Sequence, residues 1–307
     1  MILVSGGAGF IGSHVVRGLL AQGRPVRVFD NLSTGKRENL AGLDVDLRVG
    51  DLRDPAAVAG AVRGVEAVIH LAAAISVPQT VADPAGSHAV NVEGTFCVLE
   101  AARTAGVRRF ILASSAAIYG DEPSLPKTEE SPVRPQSPYA LHKLIGEQYL
   151  RLYAVLYGME TLSLRYFNVY GPRQNPDSAY AAVIPKFVSA MAGRTPPTVF
   201  GDGLQTRDFV YVEDVVAANL AALAAPRLDG RVLNIGGGRA ISLLDLLATL
   251  EKIFQRRADP VFADPRPGDV RHSVAAVDAA AAFLGYRPKT PLLDGLTPTA
   301  AWLTAQR

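Results

Sequence analysis

A glycine-rich turn near the start of the chain constrains its fold more than any other feature. Residues 5–12 read SGGAGFIG and directly follow the apolar residues 2–4. Apolar side chains then recur at helical spacing to about residue 22, and a second apolar segment covers residues 25–29. This order predicts a strand, a tight turn, a helix and a second strand, which together form a βαβ unit.

The spacing of the glycines is typical of a dinucleotide-binding turn. It reads either as Gly7-x-Gly9-x-x-Gly12 or as Gly6-x-x-Gly9-x-x-Gly12. One glycine permits the tight turn, one lets the backbone approach a pyrophosphate, and one lets the helix pack on the strand. The helix N-terminus then offers free N–H groups and the positive end of its dipole to the phosphates.

An aspartate at the end of the predicted second strand indicates which dinucleotide binds. A carboxylate at the position of Asp30 accepts hydrogen bonds from the adenosine ribose and repels a 2′-phosphate. NAD is therefore favoured over NADP. The loop at residues 31–36, which includes Asn31, Ser33 and Gly35, offers polar groups near the same ribose. The alternative is that Asp30 only braces the turn.

The alternation of strands and helices continues along the chain. Segments 45–49, 67–71 and 109–113 are predicted strands, and a helix is predicted over about residues 91–105. The pattern predicts an α/β fold with a doubly wound parallel sheet of the Rossmann type, covered on both faces. Such sheets bind ligands at the carboxyl ends of their strands. The residues at those ends are Asp51, Ala72, Ser114 and Ser115.

A tyrosine and a lysine supply the candidate chemistry. Tyr139 and Lys143 are four residues apart and share one helix face, and Pro138 suits the start of that helix. A nearby ammonium and the charge of an oxidised nicotinamide both favour the phenolate, so we expect a lowered pKa for Tyr139. Tyr139 would then serve as a general base near neutral pH. Ser115 would hydrogen-bond the same substrate hydroxyl.

Composition argues against several other classes of protein. The 307 residues are 49% apolar and 20% charged, with a net charge of +2 and no long basic run, so nucleic-acid binding is not indicated. The single cysteine, Cys97, cannot form an intramolecular disulfide, which favours a reducing compartment. No run of about 18 apolar residues is present. We expect a soluble, cytoplasmic protein without a membrane partner.

The histidines show no metal-binding pattern. His70 falls in a predicted buried strand, where a structural role is expected. His142 lies between Tyr139 and Lys143 but points to another side of the helix, where we expect solvent exposure or a subunit contact. Without clustered histidines and cysteines, we expect no metal site.

The helix that follows Pro138 is apolar on more than one face. Its apolar residues are Leu141, Leu144, Ile145, Tyr149, Leu152, Val155 and Leu156. One face must pack on the core, and the remaining apolar residues predict a partner helix. We expect a homodimer formed by this helix, at residues 140–157, and by the helix at residues 91–105.

The sequence resembles the extended short-chain dehydrogenase/reductases that act on nucleotide sugars, and among them the UDP-glucose 4-epimerases. The matching segments are 6–12, 30–33, 50–52, 70–73, 91–95, 114–120, 139–143, 165–173, 207–210 and 266–269. The resemblance implies bound NAD, a UDP-sugar substrate and dimerisation. It also implies an NAD-binding domain at residues 1–171, to which residues 209–236 return, and a smaller C-terminal lobe at 172–307 that mainly binds the nucleotide sugar. Within the returning segment, residues 209–225 are predicted to form a strand and helix that close the sheet.

The motifs and the resemblance together assign the site residues. The catalytic residues are Ser115, Tyr139 and Lys143. The cofactor contacts are Gly6, Gly9, Phe10, Ile11, Gly12, Asp30, Asn31, Ser33, Gly35, Asp51, Leu52, Leu71, Ala72, Ala73, Asn91, Ser114, Tyr139, Lys143 and Phe167. The substrate contacts are Ser76, Ser115, Tyr139, Asn168, Val183, Lys186, Phe200, Arg207, Arg266, Asp269 and Ser273. By resemblance, Asn168, Arg207 and Arg266 meet the diphosphate, since arginines clamp phosphates well. Asp269 meets the uridine ribose and Ser273 borders the C2 substituent.

Three positions distinguish the related activities. The nucleotide-sugar 4,6-dehydratases carry an Asp-Glu pair where this chain has Ala116 and Ala117, so no acid is present to protonate a leaving hydroxyl. Uronate epimerases tend to carry arginine at the position of Asn175. We therefore expect 4-epimerisation through a 4-keto sugar with retained NAD. The alternatives are a uronate epimerase or decarboxylase, a 4,6-dehydratase, and a non-catalytic NAD-sensing module.

Overall fold

A parallel sheet organises the part of the chain that the computed structural model describes, which is residues 1–175, 183–265 and 270–306. The strands are β1 Ile2–Ser5, β2 Val26–Asp30, β3 Asp46–Val49, β4 Ala67–His70, β5 Arg109–Ser115, β6 Glu160–Tyr166, β7 Asn168–Tyr170, β8 Thr198–Phe200, β9 Thr206–Arg207, β10 Phe209–Tyr211, β11 Val232–Ile235, β12 Ile241–Ser242 and β13 Val261–Ala263. Seven of these strands form the main sheet in the order β11-β6-β5-β4-β1-β2-β3, and all its pairs are parallel. The strand order reverses between β1 and β4, where a doubly wound sheet binds its ligand.

The helices cover both faces of this sheet. They are α1 Phe10–Ala21, α2 Pro55–Val62, α3 Val77–Ala82, α4 Pro84–His88, α5 Gly94–Thr104, α6 Pro138–Tyr157, α7 Val183–Ala192, α8 Val212–Ala224, α9 Leu243–Phe254, α10 Asp278–Leu284 and α11 Leu292–Ala305. Short 3₁₀ turns lie at Arg37–Leu40 and Ala116–Tyr119. The predicted α/β fold with a doubly wound parallel sheet is confirmed.

The central strands β1 and β4 are buried on both faces, which explains their apolar runs, whereas the edge strand β3 is partly exposed. In β1, Ile2 and Val4 pack in a core with α1 and α8, whereas Leu3 packs in a core with α2, α5 and α6. A third core lies between α7, α9 and α11, and its buried residues begin at Tyr170. Helix α10 returns to the first core through Ala280. Within the described ranges, no helix combines the length and apolar character needed to cross a bilayer.

The helix predicted over residues 91–105 begins earlier and is interrupted. Helix α4 starts at Pro84, with Asp83 capping its N-terminus, and a π-helical turn at Ala89–Glu93 joins it to α5. An aspartate followed directly by proline is a strong helix start, which the apolar pattern alone did not reveal. The π turn places Asn91 beside the carboxyl end of β4, and π turns of this kind are frequent at functional sites.

The expectation that the strand at the start of residues 209–225 closes the main sheet is wrong. Strand β10 pairs with β7 in a separate two-stranded sheet, and β11 is the edge strand of the main sheet, next to β6. Helix α8 does pack on the main sheet, against α1. Strand pairing depends on long-range contacts, so a short apolar segment does not identify its own partner.

The glycine turn after β1 generates a stability prediction. A Cβ on Gly12 would lie 2.1 Å from the carbonyl oxygen of Gly6 and 2.7 Å from Cα of Gly7. Gly12→Ala is therefore expected to open the turn, at a cost of about 1–3 kcal/mol in the free energy of unfolding. Gly60 in α2 is the matched control, because a Cβ there meets nothing within 4 Å. Gly60→Ala should leave stability unchanged or raise it by up to about 1 kcal/mol. Denaturant unfolding compares the two, and equal stabilities would contradict the steric argument.

Candidate active site

The glycine turn forms a cradle at the point where the strand order reverses. Gly6 has a φ of 72°, and a Cβ there would lie 2.7 Å from the backbone nitrogen of Ala72, which follows β4. The Gly9 N–H donates to the Gly6 carbonyl and closes the turn at 3.1 Å. Helix α1 then begins at Phe10 without a side-chain cap. The first N–H groups of a helix have no partner within it, so those of Phe10 and Ile11 suit a pyrophosphate site.

Asp30 braces the turn and still has capacity to bind a ribose. Its Oδ2 accepts a hydrogen bond from the Ala8 N–H at 3.0 Å, and its Oδ1 accepts one from the Leu32 N–H at 2.8 Å. A carboxylate offers about four lone-pair directions, so two remain for ribose hydroxyls. A Cβ on Gly35 would lie 2.9 Å from Oδ2, so the loop must pass close to this carboxylate. The turn-bracing role and the cofactor role are therefore compatible.

The neighbouring polar residues are brought together around Asp51. The side-chain Nδ2 of Asn31 donates to Asp51 at 3.2 Å. The side-chain Oδ1 of Asn31 accepts hydrogen bonds from the backbone N–H and the hydroxyl of Ser33. Arg53, which the sequence analysis missed, pairs with Asp51 at 2.8 Å. This guanidinium and its hydrogen bonds hold the pKa of Asp51 well below its usual range. The spacing of Asp51 and Arg53, two residues apart in the sequence, is the feature that could have predicted this ion pair.

Asn91 fixes the segment that follows β4. Its Oδ1 accepts from the Ala74 N–H at 2.7 Å and its Nδ2 donates to the Ala74 carbonyl at 2.9 Å. The backbone at Leu71–Ala74, which contains Ala72 and Ala73, is thereby held next to the glycine turn. Leu52 is buried in the core with α2 and α5. Ser76 caps the N-terminus of α3.

The candidate catalytic residues meet at the carboxyl end of β5. Ser137 caps helix α6 and Pro138 is its first residue, which places Tyr139 in the first turn. Tyr139 lies beside Ser115, whose hydroxyl accepts a hydrogen bond from the Ala117 N–H at 3.1 Å. Lys143 is buried and its Nζ donates to the Ala113 carbonyl at 2.7 Å. That Nζ lies 5.9 Å from the centroid of the Tyr139 ring.

The expected lowering of the Tyr139 pKa by Lys143 is wrong for this structure. Burial raises the pKa of Tyr139, and the hydrogen bond to Ser115 only partly opposes that rise. The Lys143 ammonium donates to the Ala113 carbonyl, so it offers the phenol oxygen no hydrogen bond that would offset burial. Burial also lowers the pKa of Lys143 to about 8. An oxidised nicotinamide ring would add a second positive charge that favours the phenolate.

Several predicted substrate contacts converge around Asp208, which the sequence analysis missed. Asn168 donates to the Asp208 carbonyl through its backbone at 3.0 Å and its side chain at 3.2 Å. The buried Asp208 carboxylate accepts from the backbone of Gly238 at 3.0 Å and of Ala275 at 2.9 Å. The Ser273 N–H donates to the Thr206 carbonyl at 3.2 Å, beside Arg207 in β9. Residues 168, 207 and 273 therefore share one region.

The other predicted substrate and cofactor contacts lie in several places. Phe167 is buried with Tyr119 and Ala275. Val183 packs on the third core and Lys186 is exposed, both at the start of α7. Phe200 ends β8. Arg266 and Asp269 lie outside the described residues.

The two histidines near the site differ from each other. His70 is buried, with Nδ1 2.7 Å from the Ser5 hydroxyl and Nε2 3.0 Å from the Thr95 hydroxyl. Burial lowers its pKa to about 3, so it is neutral and structural, as predicted. The predicted solvent exposure of His142 is wrong. It is buried beneath α4, with its ring centroid 5.5 Å from that of His88, because helix α4 was not foreseen.

These features match one family of proteins. The chain belongs to the NAD dependent epimerase/dehydratase family, which it matches over residues 2–236, and it is an extended short-chain dehydrogenase/reductase. It is 41% identical to the UDP-glucose 4-epimerase of Mycolicibacterium smegmatis, over 97% of this chain and 96% of that protein. NAD is the cofactor of this family.

Two solved structures extend the similarity to the fold. The UDP-glucose 4-epimerase of Thermotoga maritima, solved with UDP-glucose, gives a TM-score of 0.94 at 40% identity and covers 99% of both chains. The UDP-N-acetylglucosamine 4-epimerase of Methanobrevibacter ruminantium M1, in complex with UDP-N-acetylmuramic acid, gives a TM-score of 0.95 at 35% identity. That match covers 100% of this chain and 98% of the other.

The geometry predicts the effect of removing the phenol hydroxyl. Tyr139→Phe is expected to lower turnover of a UDP-sugar by about 10²- to 10⁴-fold, because the proton acceptor is lost. Bound NAD should be retained, because the glycine turn and the contact of Lys143 with Ala113 are unchanged. Chromatography of products and of released NAD measures both. Tyr149→Phe, on the same helix, is the control, and near-normal activity of Tyr139→Phe would rule out the assigned role.

Proposed function

We propose that this protein is an NAD-dependent 4-epimerase of UDP-hexoses. It would interconvert UDP-glucose with UDP-galactose, and UDP-N-acetylglucosamine with UDP-N-acetylgalactosamine. The observation that carries the proposal is the group Ser115, Tyr139 and Lys143 at the end of β5, with no acidic side chain in the two residues after Ser115. This arrangement can move a proton on a sugar hydroxyl but supplies no acid there for elimination.

The residues present fit NAD. The cradle around Gly6 and Gly12 has no room for a side chain, and the N-terminus of α1 has no side-chain cap. Asp30 retains lone pairs for the ribose, and its negative charge opposes a 2′-phosphate. When bound, NAD would accept a hydride from C4 of the sugar and return it to the opposite face.

The chain's own residues would handle the proton and hold the substrate. Tyr139 would take the proton of the 4-hydroxyl and later return it, while Ser115 hydrogen-bonds the same oxygen. The charge of Lys143 would stabilise the phenolate form of Tyr139. The UDP would stay bound through Asn168 and Arg207, and through Arg266 and Asp269 of the undescribed segment. The 4-keto sugar could then turn and present its other face, and the configuration at C4 would invert.

Two observations favour epimerisation over the related reactions. Ala116 and Ala117 begin the 3₁₀ turn directly after Ser115, and the Ala117 N–H is bound to the Ser115 hydroxyl. The position next to the reacting group therefore carries methyl groups where elimination of water needs an acid. Asn175 is uncharged, which disfavours a sugar carboxylate at C6 as the preferred substrate.

One set of incubations tests the proposed function. The purified protein is given UDP-galactose, UDP-N-acetylgalactosamine, UDP-glucuronate or dTDP-glucose, and the products are separated by chromatography. The C4 epimers of the first two are expected, with no 4-keto-6-deoxy product from dTDP-glucose. Slow conversion of UDP-galactose would refute the proposal if another substrate is converted fast. Fast conversion of UDP-glucuronate would indicate a uronate epimerase or decarboxylase, and fast conversion of dTDP-glucose would indicate a 4,6-dehydratase.

The small side chain of Ser273 predicts that the protein accepts sugars with and without an N-acetyl group at C2. The Ser273 backbone N–H donates to the Thr206 carbonyl. If Ser273 borders C2 of the sugar, its small side chain would leave space for an acetamido group and would hydrogen-bond it. Ser273→Tyr should suppress turnover of the N-acetylated pair by at least about tenfold and largely spare UDP-galactose. Ser273→Ala is the matched control and should retain both activities. If the wild-type protein epimerises UDP-galactose but not UDP-N-acetylglucosamine, the assignment of this pocket is wrong.

The dimer is a further part of the proposal. Helix α6 leaves Leu152 50%, Val155 75% and Leu156 64% exposed, and Phe96 of the adjacent α5 is also exposed. We expect these side chains to pack against a second copy, giving a mass of about 65 kDa from two 32.5 kDa chains. Light scattering at micromolar concentration measures this mass. Leu152→Glu with Leu156→Glu should give monomers, whereas Val261→Glu, at an exposed residue of β13, should not. A monomeric wild type would exclude the interface.

A further inference from the structure

Helix α6 carries a third polar side chain in line with the two candidate catalytic ones. Tyr139, Lys143 and Glu147 are spaced by four residues and therefore share one helix face. Each meets one of three consecutive residues at the end of β5. Tyr139 lies beside Ser115, Lys143 donates to the Ala113 carbonyl, and Glu147 accepts from the Ser114 hydroxyl at 2.5 Å.

Glu147 also binds the neighbouring strand. Arg165 on β6, the register partner of Ser114, donates from Nε to Oε1 at 2.9 Å and from Nη2 to Oε2 at 2.8 Å. The side chains are 2% exposed for Glu147 and 5% for Arg165. A two-point bond between buried charges fixes the plane of the carboxylate, and each charge depends on the other. Helix α6 is thus tied to both β5 and β6 through one side chain.

The far side of Arg165 reaches the segment that follows Ser115. Its Nη1 donates to the Tyr119 hydroxyl oxygen at 2.8 Å, and its guanidinium lies 5.0 Å from the Tyr119 ring centroid. Tyr119 in turn donates to Asn234 on β11 at 2.7 Å. The pair formed by Glu147 and Arg165 therefore connects the helix of Tyr139 to the backbone on either side of Ser115.

Glu147 is the one carboxylate among the charged and titratable groups that face Lys143 in the described residues. The others are Tyr139, which lies on the same helix, and His70 of β4, whose ring is neutral. Burial lowers the pKa of Lys143, and the charge of Glu147 opposes that effect. Without Glu147, no carboxylate among the described residues would offset the burial of the ammonium, and Arg165 would be left as an unpaired buried cation.

We propose that Glu147 is a positioning residue for proton transfer, holding Lys143 and Ser115 in register with Tyr139 and keeping Lys143 charged at neutral pH. The part concerning turnover rests on the proposed epimerase function. The part concerning the charge of Lys143 does not, so the two can be tested separately.

Glu147→Gln removes the charge and keeps the shape. With one opposing charge lost, the alkaline limb of the kcat–pH profile should move down by about one pH unit. With a Lys143 pKa near 8, this shift lowers kcat about eightfold at pH 8.5 but less than about twofold at pH 6.5. KM for UDP-galactose should stay within about twofold. The assay uses the NAD-loaded protein.

Glu160→Gln is the matched control. Glu160 begins β6 and pairs with its register partner Arg109 of β5 at 2.7 Å, at the opposite end of the same two strands. This variant removes a carboxylate that pairs with two arginines, Arg108 and Arg109, away from Lys143, and it should keep the wild-type pH profile. A loss of kcat in Glu147→Gln that is equal at all pH values, or a shift equally large in Glu160→Gln, would overturn the proposal.

Two further measurements test the role of Glu147 if the single variant does not fold or if no turnover is found. If Glu147→Gln does not fold, the double variant Glu147→Gln/Arg165→Gln removes both buried charges and should show the same shift of the alkaline limb. The pH dependence of Lys143 acetylation by acetic anhydride, read by mass spectrometry, needs no turnover. If the wild type epimerises no UDP-sugar, a lower midpoint for Lys143 in Glu147→Gln still supports the inference, and an unchanged midpoint refutes it.

Discussion

The close approach of two backbone segments determines the rest of the site. The turn after β1 contacts the segment after β4 at Gly6 and Ala72, with no space for a Cβ between them. This contact sets the width of the crevice at the reversal of strand order. Asp30 holds the turn from one side and Asn91 holds the facing segment from the other. Each polar group therefore depends on a steric fit that glycine alone permits.

Burial controls the chemistry of the candidate catalytic pair. Desolvation favours the neutral form of both groups, because it raises the pKa of Tyr139 and lowers that of Lys143. The phenol therefore keeps its proton while no other charge is near. An oxidised nicotinamide ring beside it would favour the phenolate, so the base would be most effective when the cofactor is ready to accept electrons. The negative charge of Glu147 opposes the effect of burial on Lys143, because it favours the charged ammonium form.

The same scaffold serves different reactions in this family, so the proposed specificity rests on a few side chains. Ala116 and Ala117 follow the serine at the strand end, and Asn175 and Ser273 lie in loops beyond the sheet. None of them supports the fold through a buried charge. Their chemistry can change without loss of the crevice, which is why fold similarity alone does not identify the sugar.

Local patterns in the sequence suffice to predict the βαβ start, the glycine turn, the parallel sheet and the shared helix face of Tyr139 and Lys143. These features follow from local spacing, which the backbone period fixes. Tertiary structure decided which distant groups meet. It paired β10 with β7, buried His142 under α4, and joined Glu147 to Arg165, 18 residues away along the chain. It also reversed the expected effect on the Tyr139 pKa, because desolvation depends on what surrounds a group in space and spacing along the chain does not record that.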